Sequence, residues 1–195
     1  MNKRKLLAAL LVGIGLFLIA LPLVLKYGGE HEAEMLMEKF EERIEGDDEE
    51  EEPSSADKEK DALLSEEGVI GIIEIQSIGI RYPIIEGAGN AALNKGIGHE
   101  PDTAGIGEKG NCVLCGHNGS RHGTFFTPLS QVNIGDEVKV MDSTGENHLY
   151  EIAETKVIDP YDTSIKARGE EEILTLFTCE NKGTRRFVCV CIPRE

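Results

Sequence analysis

The sequence predicts a mainly β domain, a small barrel or sandwich, carried behind one N-terminal transmembrane helix. Three observations support this expectation. Residues 6–25 form a run of 20 residues without a charged side chain. Residues 68–195 contain about six to eight short apolar stretches separated by turn residues, a pattern typical of small all-β domains. Between the two, residues 26–67 are strongly acidic and offer little to a hydrophobic core.

The N-terminal apolar run is long enough to cross a bilayer, because 20 residues of α-helix extend about 30 Å. Lys3, Arg4 and Lys5 precede it. This positive cluster predicts that residues 1–5 are cytoplasmic and that the rest of the chain is extracytoplasmic. A cleaved signal peptide is the alternative, but its apolar region would be about 7–15 residues long. The sequence therefore favours an uncleaved signal anchor at 6–25.

The acidic segment 26–67 is predicted to be a flexible linker between the anchor and the domain. Within it, residues 27–65 hold 16 Asp or Glu against 4 Lys or Arg, a local charge of −12 in a chain of net charge −16. The part "GDDEEEEPSSADKEK" has almost nothing to bury, whereas "HEAEMLMEKFEERIEG" could form a short helix. A spacer is the simplest interpretation. A specific binding role or a metal buffer is the alternative.

The catalytic or binding domain is assigned to residues 68–195, which are enough for one hydrophobic core. "GVIGIIEIQSIGIRYPIIEG" is interpreted as two strands joined at "QSIG", and "NCVLCGH" as another strand. "NAALNKGIG" suits one short helical turn. Residues 125–160 alternate like a β-meander with a turn at "DSTGEN". "EEILTLFTC" and "RRFVCVCI" are two further strands joined by "ENKGT".

Four of the five cysteines form two close pairs, Cys112 with Cys115 and Cys189 with Cys191. Four thiolates could bind zinc, and a disulfide is permitted outside the membrane. Both pairs lie inside apolar strand patterns rather than on turns, which favours buried packing. A membrane-tethered zinc or thiol binding module is kept as the alternative from a different class of function.

Cys179 lies where an apolar strand should give way to a loop. A half-buried thiol there is a useful nucleophile when nearby cations favour the thiolate. Six residues separate Cys179 from Arg186, so the two could face each other across a hairpin. His117 ends "VLCGH" in a similar position, and His122 is the second candidate. Acyl transfer would need such a proton donor beside the nucleophile, together with donors for the oxyanion.

These motifs together resemble the sortases, membrane-anchored cysteine transpeptidases of the Gram-positive cell envelope. "TLFTC" is similar to the family's Thr-Leu-x-Thr-Cys signature, and "GNCVLCGHNG" to the strand that carries its catalytic His. "RRFVCVCI" is similar to the last strand, which begins with the family's essential Arg. "GIIEIQSIGIRYPIIEG" and "TFFTPLSQVNIGDEV" resemble the opening strands and the segment after the His. The resemblance covers about residues 68–193.

The resemblance implies an eight-stranded β-barrel and a role for each site residue. Cys179 would attack the Thr carbonyl of an LPxTG-like sorting signal and form a thioester. His117 would protonate the departing amine and later deprotonate the incoming one. Arg186 would donate hydrogen bonds to the oxyanion or the substrate backbone. Arg185 is the alternative, because strand alternation brings only one of the two arginines to the face of the thiol.

Partners and location also follow from the resemblance. The substrates would be secreted proteins with LPxTG-like sorting signals, and the acceptor an amine of the peptidoglycan precursor lipid II, with no nucleic acid involved. The protein would be a single-pass protein of the cell membrane. Asn118 and Thr178 are expected to support the catalytic residues. No metal ligand and no cofactor are expected, although Asp159, Asp162 and the acidic residues 170–172 raise calcium as an option.

The sequence departs from the family pattern at Cys115, which stands where the family usually has Ala, two residues before His117. This thiol is either inert packing or redox-sensitive. The absence of a lid segment before the barrel argues against the pilin-polymerising class, and the short Cys-to-Arg loop is most similar to class D. Another extracytoplasmic cysteine hydrolase is the remaining alternative, but the sequence has no Ser-His-Gly-Cys-like or papain-like segment.

Overall fold

The computed structural model describes residues 3–47, 68–119, 122–167 and 169–194. In these residues eight strands close into one barrel, which confirms the predicted fold class. Two α-helices accompany it in the described part of the chain: α1 (Lys3–Asp47) and the short α2 (Asn90–Leu93). The strands are β1 (Val69–Ile75), β2 (Ile80–Glu86), β3 (Ile97–His99), β4 (Gly110–Gly116), β5 (Glu137–Asp142), β6 (Asn147–Ile158), β7 (Glu172–Glu180) and β8 (Arg185–Pro193).

The strands follow each other around the barrel in the order β1-β2-β3-β4-β7-β8-β6-β5, with β5 pairing back onto β1. Most neighbours are antiparallel, but β2 pairs parallel with β3, and β4 pairs parallel with β7. A parallel pair needs a long crossover connection, and here residues 117–171 supply it. Because the two strands run in the same direction, the carboxyl ends of β4 and β7 meet at the same rim of the barrel.

The barrel interior is filled by apolar side chains at alternate strand positions. On β7, Leu174 and Leu176 are almost fully buried, and Leu114 of the neighbouring β4 is fully buried beside them. Each such side chain contributes about 1.5–3 kcal/mol through its removal from water. The interior therefore holds the strands in register and fixes where each strand ends.

Helix α1 continues through the first part of the segment that the sequence predicts to be a flexible linker. Ala33, Leu36, Met37 and Phe40 are buried, and they recur at the spacing of one helix face. The last three pack with apolar residues of β1 and β2 on the outside of the barrel. The short helix that the sequence allows for residues 31–46 is thus present as the end of α1, with its few apolar residues on one side, and residues 26–30 of the predicted linker are helical as well. The predicted remainder, 48–67, lies outside the described residues.

The N-terminal half of α1 contains the apolar run 6–25. Its described leucines, isoleucines and valines are largely exposed to solvent. Within the described residues α1 is the one helix that is long and apolar enough to cross a membrane, judged by length and composition. This supports a single-pass anchor. The direction in which the chain crosses remains a prediction.

Candidate active site

The ends of β4 and β7 bring His117 and Cys179 together at one rim of the barrel. Gly116 is the register partner of Thr178, so His117 and Cys179 are the next residues along the two parallel strands. Two hydrogen bonds link these segments. Thr178 Oγ1 donates to the Gly116 carbonyl at 2.7 Å, and Asn118 Nδ2 donates to the Cys179 carbonyl at 2.8 Å. The strand ends are thus fixed to each other by side chains as well as by the ladder.

Gly116 allows β4 to pass close to its neighbours just before His117. A Cβ atom at this position would lie 2.8 Å from Ile97 Cδ1 and 2.8 Å from the Phe126 ring. Real Cβ atoms essentially never approach other heavy atoms so closely. The glycine therefore sets the path of the strand end, and with it the placement of His117 beside β7.

Cys179 lies on the face of β7 opposite to the buried Thr178 and is partly exposed. It lines a pocket of about 360 Å³ together with Asn118, Lys182 and Gly183. The pocket opens at the rim where β7 turns into β8. A ligand that enters from solvent can therefore contact the thiol, while the pairing of β7 within the barrel fixes the position of the Cys179 backbone.

Arg186, and not Arg185, is the direct cross-strand partner of Cys179. Directly opposed residues of an antiparallel pair present their side chains on the same face, so Arg186 stands beside the thiol. Arg185 is paired with Glu180 instead and is exposed. The Arg186 guanidinium donates through Nη1 to the carbonyls of Gly183 at 3.0 Å and Arg185 at 3.1 Å. These bonds hold it over the β7–β8 loop.

His117 is half-buried against Phe125, with ring centroids 6.2 Å apart and an angle of 59° between the planes. Burial, and secondly the like charge of His122, lower the pKa of His117 below its usual value. His122, the second candidate, is thus an electrostatic neighbour of the first. The imidazole of His117 is mostly neutral at neutral pH and can accept a proton.

Sequence reasoning missed Phe125 as a residue of this site. It is fully buried, has a positive φ of 43°, and also packs on Tyr82 at 5.1 Å. A non-glycine residue in this region of backbone space is uncommon and is held there by its surroundings. Nothing in "TFFTP" distinguishes Phe125 from Phe126, so only the folded chain shows which ring touches His117.

The other four cysteines are buried, and all five thiols are free. Cys112, Cys189 and Cys191 belong to the barrel core, whereas Cys115 lies on the opposite face of β4. Burial raises the pKa of Cys112, Cys115 and Cys189 to about 12 and also raises that of Cys191. These thiols are protonated packing groups at neutral pH, as the strand pattern indicates.

A zinc site of four thiolates is not assembled, because the two faces of β4 separate Cys112 from Cys115. Among the described residues, the one group of potential ligands within 4.8 Å of one another is Asp142, Glu146 and His148. This group lies at the β5–β6 hairpin and contains no cysteine. The acidic residues that suggested a calcium site in the sequence do not form such a group among the described residues; these are Asp159, Asp162 and 170–172.

Comparison with known proteins gives one consistent result. A family model described as "Sortase domain" matches residues 73–193. The chain is 40% identical over 110 residues to Sortase D of Bacillus subtilis (strain 168), which covers 56% of this chain and 53% of that protein. It is 30% identical over 132 residues to Sortase A of Listeria monocytogenes serovar 1/2a, covering 66% and 58%. The chain thus spans about half to three fifths of the curated relatives it matches.

Solved structures agree with the sequence matches. A Clostridium perfringens Sortase D5 transpeptidase superposes with a TM-score of 0.64 at 29% identity, covering 87% of this chain and 99% of that one. Sortase C1 of GBS Pilus Island 1 superposes with a TM-score of 0.62 at 26% identity, covering 66% and 65%. The residues matched by the family model, 73–193, include both strand ends that form the pocket.

Proposed function

The chain belongs to the sortase family, and on that premise we propose that it is a cysteine transpeptidase with Cys179 as nucleophile. His117 is the acid and base, and Arg186 is the donor to the oxyanion. The observation that supports this assignment is the convergence of the three residues. Arg186 of β8 lies opposite Cys179 of β7, and His117 directly follows the end of β4, which pairs with β7.

The first half-reaction cleaves a peptide bond and forms a thioester. His117 takes the thiol proton, and the sulfur of Cys179 attacks the carbonyl carbon of the substrate Thr. The tetrahedral intermediate then collapses, its C–N bond breaks, and the proton on His117 passes to the leaving amine. The lowered pKa of His117 suits this cycle, because the neutral imidazole accepts a proton and the imidazolium readily gives it up.

Arg186 stabilises the negative charge that develops on the carbonyl oxygen. A guanidinium has five N–H donors in a fixed fork. The two bonds, to the carbonyls of Gly183 and Arg185, use Nη1, so the donors on Nη2 and Nε can serve the substrate. A charged donor is worth most where it meets charge that exists only in the transition state. Asn118 and Thr178 support the site by joining the two strand ends.

The second half-reaction transfers the acyl group to an amine. His117 deprotonates the incoming amine, which attacks the thioester carbonyl and releases the Cys179 thiol. We propose that the acyl donors are secreted proteins with LPxTG-like sorting signals and that the acceptor is an amine of lipid II. The catalytic domain would lie outside the membrane, held there by the anchor 6–25, and the enzyme would be most similar to class D. The proposed steps use only side chains of the protein and no cofactor.

The test uses the full chain in detergent micelles with a panel of LPxTG-like peptides and an added amine. We expect the peptide to be cleaved after Thr, and mass spectrometry to find the acyl group on Cys179. Cys179→Ala should remove both while circular dichroism stays that of the folded protein. Persistent turnover in Cys179→Ala, or no cleavage and no adduct with any peptide of the panel, would contradict the proposal.

A further inference from the structure

Helix α1 meets the loop that follows β4 at two adjacent residues, Gly29 and Glu30. Gly29 is buried, and a Cβ atom there would lie 1.7 Å from the His122 carbonyl oxygen. The Glu30 carboxylate accepts two hydrogen bonds, from the Thr124 backbone N–H at 2.7 Å and from the Tyr82 hydroxyl at 2.5 Å. The helix thus touches the loop through backbone contact and through charge-assisted hydrogen bonds, which are the stronger class.

These bonds end one residue away from the aromatic ring that packs on His117. Phe125 follows Thr124, has its positive φ of 43°, and lies between the rings of Tyr82 and His117. A residue in such a backbone conformation keeps it only where its surroundings over-determine it. Glu30 supplies part of those surroundings, because it accepts hydrogen bonds from the Thr124 N–H and from the hydroxyl of Tyr82, whose ring packs on Phe125.

The Tyr82 hydroxyl remains a donor to Glu30 over the ordinary range of pH. Burial, and secondly the hydrogen bond to Glu30, raise the pKa of Tyr82 to about 12. A half-buried carboxylate between two donors is satisfied by them. If the carboxylate were removed, the Tyr82 hydroxyl would lose its acceptor, and the Thr124 N–H would keep only its bond to the Tyr82 hydroxyl oxygen at 3.1 Å.

We propose that Glu30 is a positioning residue for His117, acting through Thr124 and Phe125. The proposal rests on the proposed function, because it takes His117 as the acid and base of the reaction. The part of the chain just after the membrane anchor would thereby contribute to catalysis without touching the substrate. Its contribution is to keep the imidazole aligned with Cys179 across the two strand ends.

The contact of Glu30 can be separated from the general docking of α1. Farther along the helix, Glu41 forms an ion pair with Arg81 of β2 on the outside of the barrel. Glu41→Ala therefore removes a carboxylate of the same helix from the same barrel, at an ion pair that includes neither Thr124 nor Phe125. It is the matched control for Glu30→Ala. Glu30→Gln keeps one carbonyl oxygen for the Thr124 N–H and is the conservative variant.

The experiment compares these variants with the unchanged sequence as full chains in detergent micelles. It measures kcat and KM with a cleavable sorting peptide, and the NMR signal of the His117 Cε1–H, which the Phe125 ring current shifts. We expect Glu30→Ala to lower kcat by about tenfold, since small misplacements of catalytic groups cost this much or more. KM should stay within about twofold, and the His117 signal should move. Glu30→Gln should restore most of kcat, and Glu41→Ala should change neither quantity.

Two results would overturn the proposal: an unchanged kcat and His117 signal in Glu30→Ala, or the same losses in Glu41→Ala. The second result would show that docking of the helix as a whole, and not Glu30, is responsible. If the unchanged chain cleaves no peptide, the proposed function fails. The NMR signal then tests the positioning by itself: a shifted His117 signal in Glu30→Ala supports the role of Glu30, and an unchanged signal refutes it.

Discussion

Arg185 and Arg186 are adjacent in sequence but lie in different surroundings. Arg186 is opposite Cys179 and donates to the carbonyls of Gly183 in the β7–β8 loop and of Arg185 in β8, whereas the Arg185 side chain is opposite Glu180 and exposed. Two consecutive strand residues always point to opposite faces. The hairpin register therefore decides which of the two charges reaches the thiol.

Arg186→Ala should lower kcat/KM by at least about a hundredfold, because it removes a charged donor from the developing oxyanion. Arg185→Ala should change it by less than about threefold, as expected for a screened surface charge. Cleavage of one sorting peptide by both variants, measured under identical conditions, gives the comparison. The reverse order of the two effects would transfer the proposed role to Arg185.

His122→Ala should raise the pKa of His117. Burial is the larger cause of the lowered pKa and would remain, so the rise should be partial. An NMR titration of the His117 ring measures it, and His148→Ala at the β5–β6 hairpin serves as the control. A pKa of His117 that is unchanged or lower in His122→Ala would contradict the electrostatic coupling of the two imidazoles.

The same pKa shift predicts how the stability of the fold depends on pH. The folded pKa of His117 lies below the unfolded value of about 6.5, so the unfolded chain binds more protons in the window just below 6.5. The free energy of unfolding should therefore fall as the pH falls through this window. Denaturant titrations of the unchanged chain and of His117→Ala should show a smaller fall in the variant.

At the scale of elements, the parallel pairing of β4 with β7 builds the site. These strands lie far apart in sequence, yet their register sets the residue after Gly116 beside the residue after Thr178. An antiparallel pairing would have sent the two strand ends to opposite rims. The close passage of β4 at Gly116 contributes to the same placement, because His117 is the next residue.

Gly116→Ala should reduce both stability and turnover. The added methyl group would overlap Ile97 and Phe126, and overpacking of this kind costs about 1–3 kcal/mol of unfolding free energy. Turnover should fall by more than the loss of folded protein accounts for, because the added methyl group would also displace His117, the next residue. Gly89→Ala is the control, since nothing lies within 4 Å of its added Cβ. Equal behaviour of the two variants in denaturant titrations and peptide cleavage would refute this.

For the whole molecule, local patterns predicted most of the elements but not their arrangement. Alternating apolar residues and turn signals indicated the strands and left a barrel or a sandwich open, and the resemblance to the sortases implied the eight-stranded barrel. The parallel β4–β7 pairing depends on long-range packing, which no local pattern encodes. The contact between Phe125 and His117 depends on one backbone angle. A short helix over 31–46 was foreseen as an option, but its continuity with the anchor and its packing on the barrel were not, because a local pattern does not show what its four apolar residues pack against.

Phe40→Ala should release the docked part of α1 and leave the barrel folded. Phe40 is fully buried between α1 and the barrel, and removal of such a ring costs about 3–5 kcal/mol. A protease specific for Glu should then cut residues 30–45 much faster than in the unchanged chain, while residues 69–193 resist. Equally fast cutting of both chains would show that this segment is flexible, as its composition suggested.

The continuity of α1 also bears on how the enzyme meets its substrates. Glu30 lies five positions after the end of the apolar run at 25, about 8 Å along a helix axis. Once residues 6–25 lie in a bilayer, the continuous helix keeps the barrel and its pocket close to the lipid headgroups. Partners would then be found by lateral diffusion within one leaflet, and acceptors that are themselves lipid-borne would have the shortest way to the thioester.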